Sequence, residues 1–266
     1  MFKRRMDTGW TFKSDTMYNK YNVYRDGDMF EVNPNWQSIA QIKYVGKRNI
    51  PIVVIDDFFI NVDKVRELAL SAHYSNHTNK MNASPGIRCV FDIHWDIGKI
   101  AQAYFNNWYL EELNIKCPFN WPNKHNMFTI IDTSEPMVTP QCYPHIDISW
   151  QEGQRLGDDD TQHTASIVYL NTDDECKGGT GIYKCKTLDS HLCTTKDKFL
   201  EWDAVKKPKR VNNINYEDND MFELVYEAKM KYNRFVMYPT CLFHHPIYKP
   251  DYFTGDNCRI TLGSFV

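Results

Sequence analysis

The sequence predicts a mostly β protein whose strands form a jelly roll or barrel, with helices from its first half packed outside one sheet. Short runs rich in β-branched and aromatic residues dominate from about residue 126, and Pro, Gly, Asn and Asp separate them. Two amphipathic helix patterns come earlier in the chain. Several short strands with turn residues between them are typical of jelly rolls and barrels.

The first half contains one predicted strand and two predicted helices. Residues 51–56 (PIVVID) favour a buried strand because β-branched residues run together there. Asn61 is the candidate N-cap of a helix whose apolar residues recur at helical spacing on one face. A second helix is predicted for residues 97–112, directly after the capping candidate Asp96.

The second half carries the predicted strands of the core. They share high β propensity and are bounded by turn residues. Their ranges are 127–131 (MFTII), 164–170 (TASIVYL), 181–184 (GIYK), 234–238 (RFVMY) and 259–262 (RITL).

The chain is predicted to form a single domain over residues 1–266. Residues 1–125 would supply N-terminal strands and supporting helices, and residues 126–266 the core. The polar stretch 186–232 is too long for a hairpin turn, and connections of that length are commonly functional. We therefore predict that residues 186–232 form an insertion or a lid.

Composition and charge exclude some partners. The net charge of -3 gives no broad basic surface, so nucleic acid is not the expected partner. No window approaches the roughly 18 apolar residues of a membrane span, and no export signal is visible, so we expect a cytoplasmic protein without a membrane partner. The eight cysteines lack CxxC spacing and predict reduced thiols. Nothing in the sequence predicts an oligomeric state.

Two histidines and one aspartate form the candidate metal site. On an extended strand residues i and i+2 face the same side, so His145 and Asp147 can aim at one point. Two imidazoles and a carboxylate make a facial triad that suits Fe(II) and leaves coordination positions open. His244 is the preferred third ligand, and the adjacent His245 is its competitor. Only one of the two should reach the metal, because neighbours on an extended chain face opposite sides.

Arg259 is the candidate anchor for a carboxylate. It stands among apolar residues of the closing segment, where an unpaired charge is costly. A guanidinium meets a carboxylate through two parallel hydrogen bonds. The alternative is an ordinary strand arginine paired with a surface acid.

With these residues in place, the sequence resembles the Fe(II)- and 2-oxoglutarate-dependent dioxygenases of the prolyl-hydroxylase-like branch. The resemblance covers residues 125–266 and rests on the order of several motifs. They are YPHID at 143–147, SIVYLN at 166–171, GGTGIY at 178–183, NRFVMYP at 233–239 with Phe243 and His244, and RITL at 259–262. VVIDDFF at 53–59 and PGIR at 85–88 are similar to an uncharacterised bacterial and viral group of such proteins.

The resemblance implies a double-stranded β-helix, the jelly roll of these enzymes, backed by the N-terminal helices. It also implies that His145, Asp147 and His244 bind Fe(II), and that Arg259 and Tyr169 bind the distal carboxylate of the co-substrate 2-oxoglutarate. The family's upstream tyrosine has no equivalent here, and Thr129 or another residue on its strand is the candidate replacement. The gap from His244 to Arg259 is longer than in the compact prolyl hydroxylases.

The implied reaction consumes O2 and 2-oxoglutarate, releases succinate and CO2, and hydroxylates an unactivated C–H bond. A carboxylate at Asp147 favours hydroxylation over halogenation, since related halogenases lack it. The expected substrate is an amino acid, a peptide or a small polar metabolite, and Arg88, Arg155 and Trp150 are its candidate contacts. His163 is given no role.

Two other classes remain open at this point. A jelly-roll protein with the same three ligands can bind a non-redox metal such as zinc or nickel, or act as a sensory binding module. A capsid or surface jelly roll would require Arg259 to be accidental. The visible absorption of an anaerobic Fe(II)–2-oxoglutarate complex distinguishes an oxygenase from both.

Overall fold

The computed structural model describes residues 29–72, 74, 85–91, 97–117, 121, 125–134, 143–148, 156–157, 162–206, 220–247, 249 and 251–266. Within these ranges the chain forms ten strands and four helices, so the mostly β prediction is confirmed. The capping candidate Asp96 lies outside the described residues. The seven cysteines inside them are free thiols.

The elements follow one another in this order. The first half contains α1 (Trp36–Ile39), β1 (Gln41–Val45), β2 (Ile50–Ile55), α2 (Val62–Ser71), β3 (Ile87–Phe91) and α3 (Gly98–Leu113). The second half contains β4 (His125–Ile131), β5 (Thr164–Tyr169), β6 (Gly179–Cys185), α4 (Lys196–Lys206), β7 (Phe222–Lys229), β8 (Phe235–Pro239), β9 (His244–Ile247) and β10 (Arg259–Phe265).

Two antiparallel sheets make the jelly-roll core. The larger sheet has seven strands in the order β1-β2-β8-β5-β10-β4-β3, and the smaller has three in the order β7-β6-β9. Every strand pair among the described residues is antiparallel. Non-sequential neighbours such as β5 and β10 show that the chain returns repeatedly to one sheet. This is the arrangement that the resemblance implied.

Helices from the first half support the larger sheet. Helix α3 contacts β2, and it buries the aromatic side chains of Phe105, Trp108 and Tyr109. Asn61 occupies the predicted N-cap position of α2, but its side chain makes no capping hydrogen bond. None of the described helices is long and apolar enough to cross a bilayer.

The predicted insertion at 186–232 contains two regular elements that the sequence did not suggest. Strand β7 pairs with β6 from Gly179 to Cys185, so the end of this segment is part of the smaller sheet. Its sequence FELVYEAK mixes apolar and charged residues, and its burial is correspondingly mixed. Within the described residues of this segment, the part before β7, including α4, lies outside the two sheets.

Candidate metal centre

His145 and His244 come together through their backbones. The two residues form an isolated antiparallel bridge, in which each N–H donates to the other's carbonyl oxygen at 2.9 Å. Asp147 is fixed next to them, since its N–H donates to the carbonyl of Thr240 at 2.9 Å. Residues 143–148 are therefore an extended segment attached to the edge of β9. They are not the regular strand that the HxD spacing predicted.

The three side chains converge on one point. Their nearest donor atoms all lie within 4.8 Å of one another. Asp147 Oδ2 lies 3.2 Å from His244 Nε2, and Oδ1 lies 3.7 Å from His145 Nε2. Donor atoms that share one ion at about 2.0–2.2 Å are separated by roughly 3.0–3.4 Å, so these distances suit a single small metal ion. The donor set of two imidazoles and one carboxylate fits Fe(II).

A backbone carbonyl orients the His244 ring. Its Nδ1 is 2.9 Å from the carbonyl oxygen of Leu242, which favours a proton on Nδ1 and leaves Nε2 as the donor atom facing Asp147. Such outer hydrogen bonds select the tautomer that a metal requires. The neighbouring His245 is fully buried on the same strand and is absent from the three-residue cluster.

The charges of the cluster support one another. Burial opposes ionisation of Asp147, but His244, His145 and Arg88 outweigh it and hold the pKa of the carboxyl below its ordinary value. Burial also opposes a charge on His244, yet Asp147 and the Leu242 carbonyl raise the pKa of its imidazole. A metal cation between Asp147 and His244 would take the place of the proton that the carboxylate now favours on the imidazole.

A cavity of about 90 Å³ lies next to the cluster, between the two sheets. The three cluster residues line it, together with Thr129, Arg259 and Arg88. One water needs roughly 10–15 Å³ by the same measure, so the cavity has room for a small organic acid. The predicted co-substrate and substrate residues that fall in described regions thus surround one space, with a single exception.

The exception is Tyr169, which does not line the cavity. Its hydroxyl lies 2.7 Å from Thr180 Oγ1 and donates to the Ala228 carbonyl at 3.2 Å. Burial raises the pKa of Tyr169, with Arg259 opposing the shift, so the phenol is neutral. The Arg259 guanidinium lies 5.5 Å from the centre of the Tyr169 ring. Tyr169 therefore lies beneath Arg259. Of the two hydrogen-bonded hydroxyls, that of Thr180 belongs to a residue that lines the cavity.

Thr129 and Arg88 belong to one row of side chains across the larger sheet. Arg88 of β3 is opposite Thr129 of β4, which is opposite Thr261 of β10. Thr261 is in turn opposite Tyr169 of β5. Cross-strand partners point to the same face, so this row points into the space between the two sheets. Arg88, Thr129 and Thr261 line the cavity there, and Tyr169 lies at its margin.

Sequence reasoning missed Tyr238. This residue lines the cavity, and its ring centre is 4.6 Å from that of His244. Burial and the nearby Asp147 charge raise its pKa well above the ordinary value. Tyr238 is opposite Ala165 in the sheet, and that register brings it to the cavity side. Within the apolar run FVMYP no sequence signal separates it from a core residue.

Two predicted substrate residues and His163 remain to be placed. Arg155 and Trp150 fall outside the described residues. His163, to which the sequence gave no role, packs edge-on against Tyr109 and Trp121. Its carbonyl accepts hydrogen bonds from Thr240, so it supports the turn that positions the cluster.

Residues 37–266 match the family of unknown function DUF6445. The chain belongs to that family. No curated protein matches its sequence.

Solved structures of iron and 2-oxoglutarate oxygenases are among those similar to this chain. A viral collagen prolyl hydroxylase from Paramecium bursaria Chlorella virus-1, in complex with 2-oxoglutarate, is 13% identical over 80% of this chain and 93% of its own, with a TM-score of 0.39. HygX from Streptomyces hygroscopicus, with iron bound, is 10% identical over 81% of each chain, with a TM-score of 0.39. The non-heme α-ketoglutarate-dependent carbocyclase SnoK of nogalamycin biosynthesis is 9% identical over 95% of this chain and 75% of its own, with a TM-score of 0.33.

Proposed function

We propose that the protein is an Fe(II)- and 2-oxoglutarate-dependent oxygenase that hydroxylates an unactivated C–H bond. The observation that carries the proposal is the convergence of His145, Asp147 and His244 on the wall of a cavity that also contains the buried Arg259. A metal ligand set alone would suit several metals. A buried guanidinium beside it supplies what a dicarboxylate co-substrate needs.

The three ligands would hold iron, which when bound supplies the reactivity towards O2 that protein side chains lack. His145 and His244 would each offer a neutral ring nitrogen, and Asp147 one carboxylate oxygen. The Leu242 carbonyl keeps the His244 proton on Nδ1, so that Nε2 remains available. Asp147 also fills the position that halogenases leave without a carboxylate, which favours hydroxylation.

Arg259 would bind the distal carboxylate of 2-oxoglutarate. Arg259 is 3% exposed, so water would compete little with a bound carboxylate for its guanidinium. Thr180 and Tyr238 line the same cavity and offer hydroxyl hydrogen bonds, as does Thr129 on the neighbouring strand. Tyr169 would act through Thr180, whose hydroxyl it holds, and through its ring beneath the guanidinium.

The overall reaction would convert a substrate C–H bond, O2 and 2-oxoglutarate into the alcohol, succinate and CO2. One oxygen atom enters the substrate and the other enters succinate. The substrate would be an amino acid, a peptide or a small polar metabolite held near the metal ligands.

Succinate release tests the proposal directly. The protein would be incubated with Fe(II), 2-oxoglutarate, O2 and a panel of amino acids, peptides and metabolites, with His145→Ala as the blank. We expect the wild type to release succinate above that blank, and at least one panel member to increase the rate. Equal release by the two proteins would show that the three residues are not the metal site of an oxygenase.

A further inference from the structure

A second arginine lines the cavity, two strands away from Arg259 in the larger sheet. Arg88 lies on β3, the edge strand of the larger sheet, and its neighbour across the sheet is Thr129. It lines the same cavity as the His-Asp-His cluster. Its Nε atom is buried and has no hydrogen-bond partner among the described residues. The Arg88 guanidinium is therefore partly buried, and its Nε has no hydrogen-bond acceptor among the described residues.

The only charged group near Arg88 in the described structure is Asp147. That carboxylate attracts the guanidinium, but the two do not approach within the 4 Å of an ion pair. Asp147 instead uses both oxygens towards the histidines. Burial lowers the pKa of Arg88, although a guanidinium stays protonated in proteins. A buried charge without a close counter-ion is costly, so a ligand that supplies one would bind favourably.

The two arginines are separated along and across the sheet. Arg88 and Arg259 stand on strands two positions apart, and Arg259 is two residues from Thr261, the residue in register with Arg88 through Thr129. With strands about 4.8 Å apart and a rise of about 3.3 Å per residue, their backbones are roughly 10 Å apart across the sheet and 7 Å along it. Their neighbours differ as well, since Arg259 lies over Tyr169 and Arg88 faces Asp147.

We propose that Arg88 binds a carboxylate of the substrate, and that the substrate is therefore a small carboxylic acid. This inference rests on the proposed function, in which Arg259 already serves the co-substrate. Two cations that line one cavity from strands two positions apart provide for two anionic ligands. The acid's carboxylate at Arg88 would lie on the side of the metal ligands, and the carbon atoms next to it would face the cluster.

The charge of the site favours a carboxylate over a phosphate. One guanidinium balances one negative charge, and its planar pair of N–H groups matches the two oxygens of a carboxylate. A phosphate dianion would carry a second negative charge that a single guanidinium does not balance.

The test is an anaerobic calorimetric titration, because binding can be measured without turnover. Protein loaded with Fe(II) and 2-oxoglutarate would be titrated with the free L-amino acids and simple hydroxy acids, each paired with its primary amide, in which the carboxylate is replaced by an uncharged group. Inorganic phosphate would be a further arm. The proteins compared would be the wild type, Arg88→Gln, Arg88→Lys and the matched control Arg66→Gln. Arg66 pairs with Glu175 outside the cavity.

We expect at least one acid to bind the wild type at least about tenfold more tightly than its amide, as a charge-assisted hydrogen bond predicts. Arg88→Gln should remove this preference, Arg88→Lys should keep part of it, and Arg66→Gln should keep all of it. The ratio of acid to amide is measured within each protein, and only in variants that still form the Fe(II)–2-oxoglutarate complex, so that a general loss of structure is recognised.

Three outcomes would overturn the inference. They are an acid preference that survives in Arg88→Gln, a panel in which no free acid binds better than its amide, and a preference for phosphate over every acid. Formation of the Fe(II)–2-oxoglutarate complex is recorded before any acid is added. Its absence in the wild type would instead contradict the proposed function, so the two failures are distinguishable.

Discussion

At the scale of single residues, the site combines a rigid frame with a few groups available to a ligand. The His244 ring is held by a carbonyl behind it and a carboxylate in front of it. Tyr169 is held equally firmly by Thr180 and Ala228. Arg88 and the hydroxyl-bearing residues Thr129 and Tyr238 face the cavity instead. Substitutions in these two groups should therefore have different consequences.

Replacing Arg259 by alanine should raise the 2-oxoglutarate requirement strongly. A charge-assisted hydrogen bond contributes roughly 1.5–3 kcal/mol, which corresponds to about a 10- to 150-fold increase in KM for 2-oxoglutarate. Metal content should stay the same, because the arginine is not a ligand. The KM follows from succinate release at varied 2-oxoglutarate, and metal content from elemental analysis. An unchanged KM would remove Arg259 from the co-substrate site.

Tyr169 and Thr180 should act as one unit. Tyr169→Phe and Thr180→Val each break the same 2.7 Å hydrogen bond, so their effects on stability should not add. We expect each single variant to lose about 1 kcal/mol of unfolding free energy, and the double variant to lose little more than either. Denaturant titrations of the three variants measure this coupling. Additive losses would mean that the two hydroxyls work independently.

At the scale of elements, the position of β9 decides where His244 lies. Strand β6 pairs with β9 from Gly179 to Ile182, and Ile182 is directly opposite His244. Gly178 begins this contact with a φ of +65°, and a Cβ atom there would lie 1.9 Å from the Ile247 carbonyl oxygen. Only glycine allows so close an approach of the two strands.

Gly178→Ala should therefore destabilise the smaller sheet. The control is Gly255→Ala, since Gly255 has an almost identical φ of +64° but nothing within 4 Å of an added Cβ. The left-handed backbone alone should cost about 1–2 kcal/mol in both variants. Gly178→Ala should lose more, because Ile247 must also move. Equal melting temperatures of the two variants would show that the contact between β6 and β9 is not tight.

The elements differ in how well the sequence predicted them. Strands such as β8 and β10 are short apolar runs between turn residues, and local patterning is enough to find them. Strand β7 was hidden because its charged residues, Glu223 and Glu227, make it resemble the polar stretch before it. The spacing of His145 and Asp147 indicated a shared direction. Their actual support, a bridge to His244, is long-range and leaves no local signal.

Tyr238 and Thr180 show the same limit within the site. Their approach to the cavity depends on strand register and on which sheet faces which. A sequence pattern gives the alternation of faces along one strand, but not the side on which the site lies. Arg88 was named from its nearness to a motif. Its neighbour across the sheet, Thr129, explains why it reaches the cavity.

At the scale of the whole molecule, one ion network ties the ends of β2 and β8 together. Asp56 accepts hydrogen bonds from Arg234 Nε at 2.6 Å and Nη2 at 3.0 Å, and from Lys231 Nζ at 3.0 Å. The hydrogen bond from Arg234 is the main cause of the lowered pKa of Asp56, although burial opposes it. This network joins strands that are far apart in sequence.

The network should make stability depend on acid. Because the pKa of Asp56 is lower in the folded protein, its contribution is fully present above the unfolded value of about 3.9 and is lost as the pH falls through the folded value. Asp56→Asn should cost about 1 kcal/mol at neutral pH, and the gap to the wild type should shrink below about pH 4. Urea unfolding at several pH values measures it. A gap that is constant in acid would contradict this assignment.

The central claim is that His145, Asp147 and His244 form an iron site that binds 2-oxoglutarate with the help of Arg259. Anaerobic titration of the purified protein with Fe(II) and then 2-oxoglutarate, followed by visible absorption, tests it most directly. We predict a weak charge-transfer band that appears only when both are present and is absent in His145→Ala. A wild-type protein that binds Fe(II) but develops no band with 2-oxoglutarate would contradict the claim.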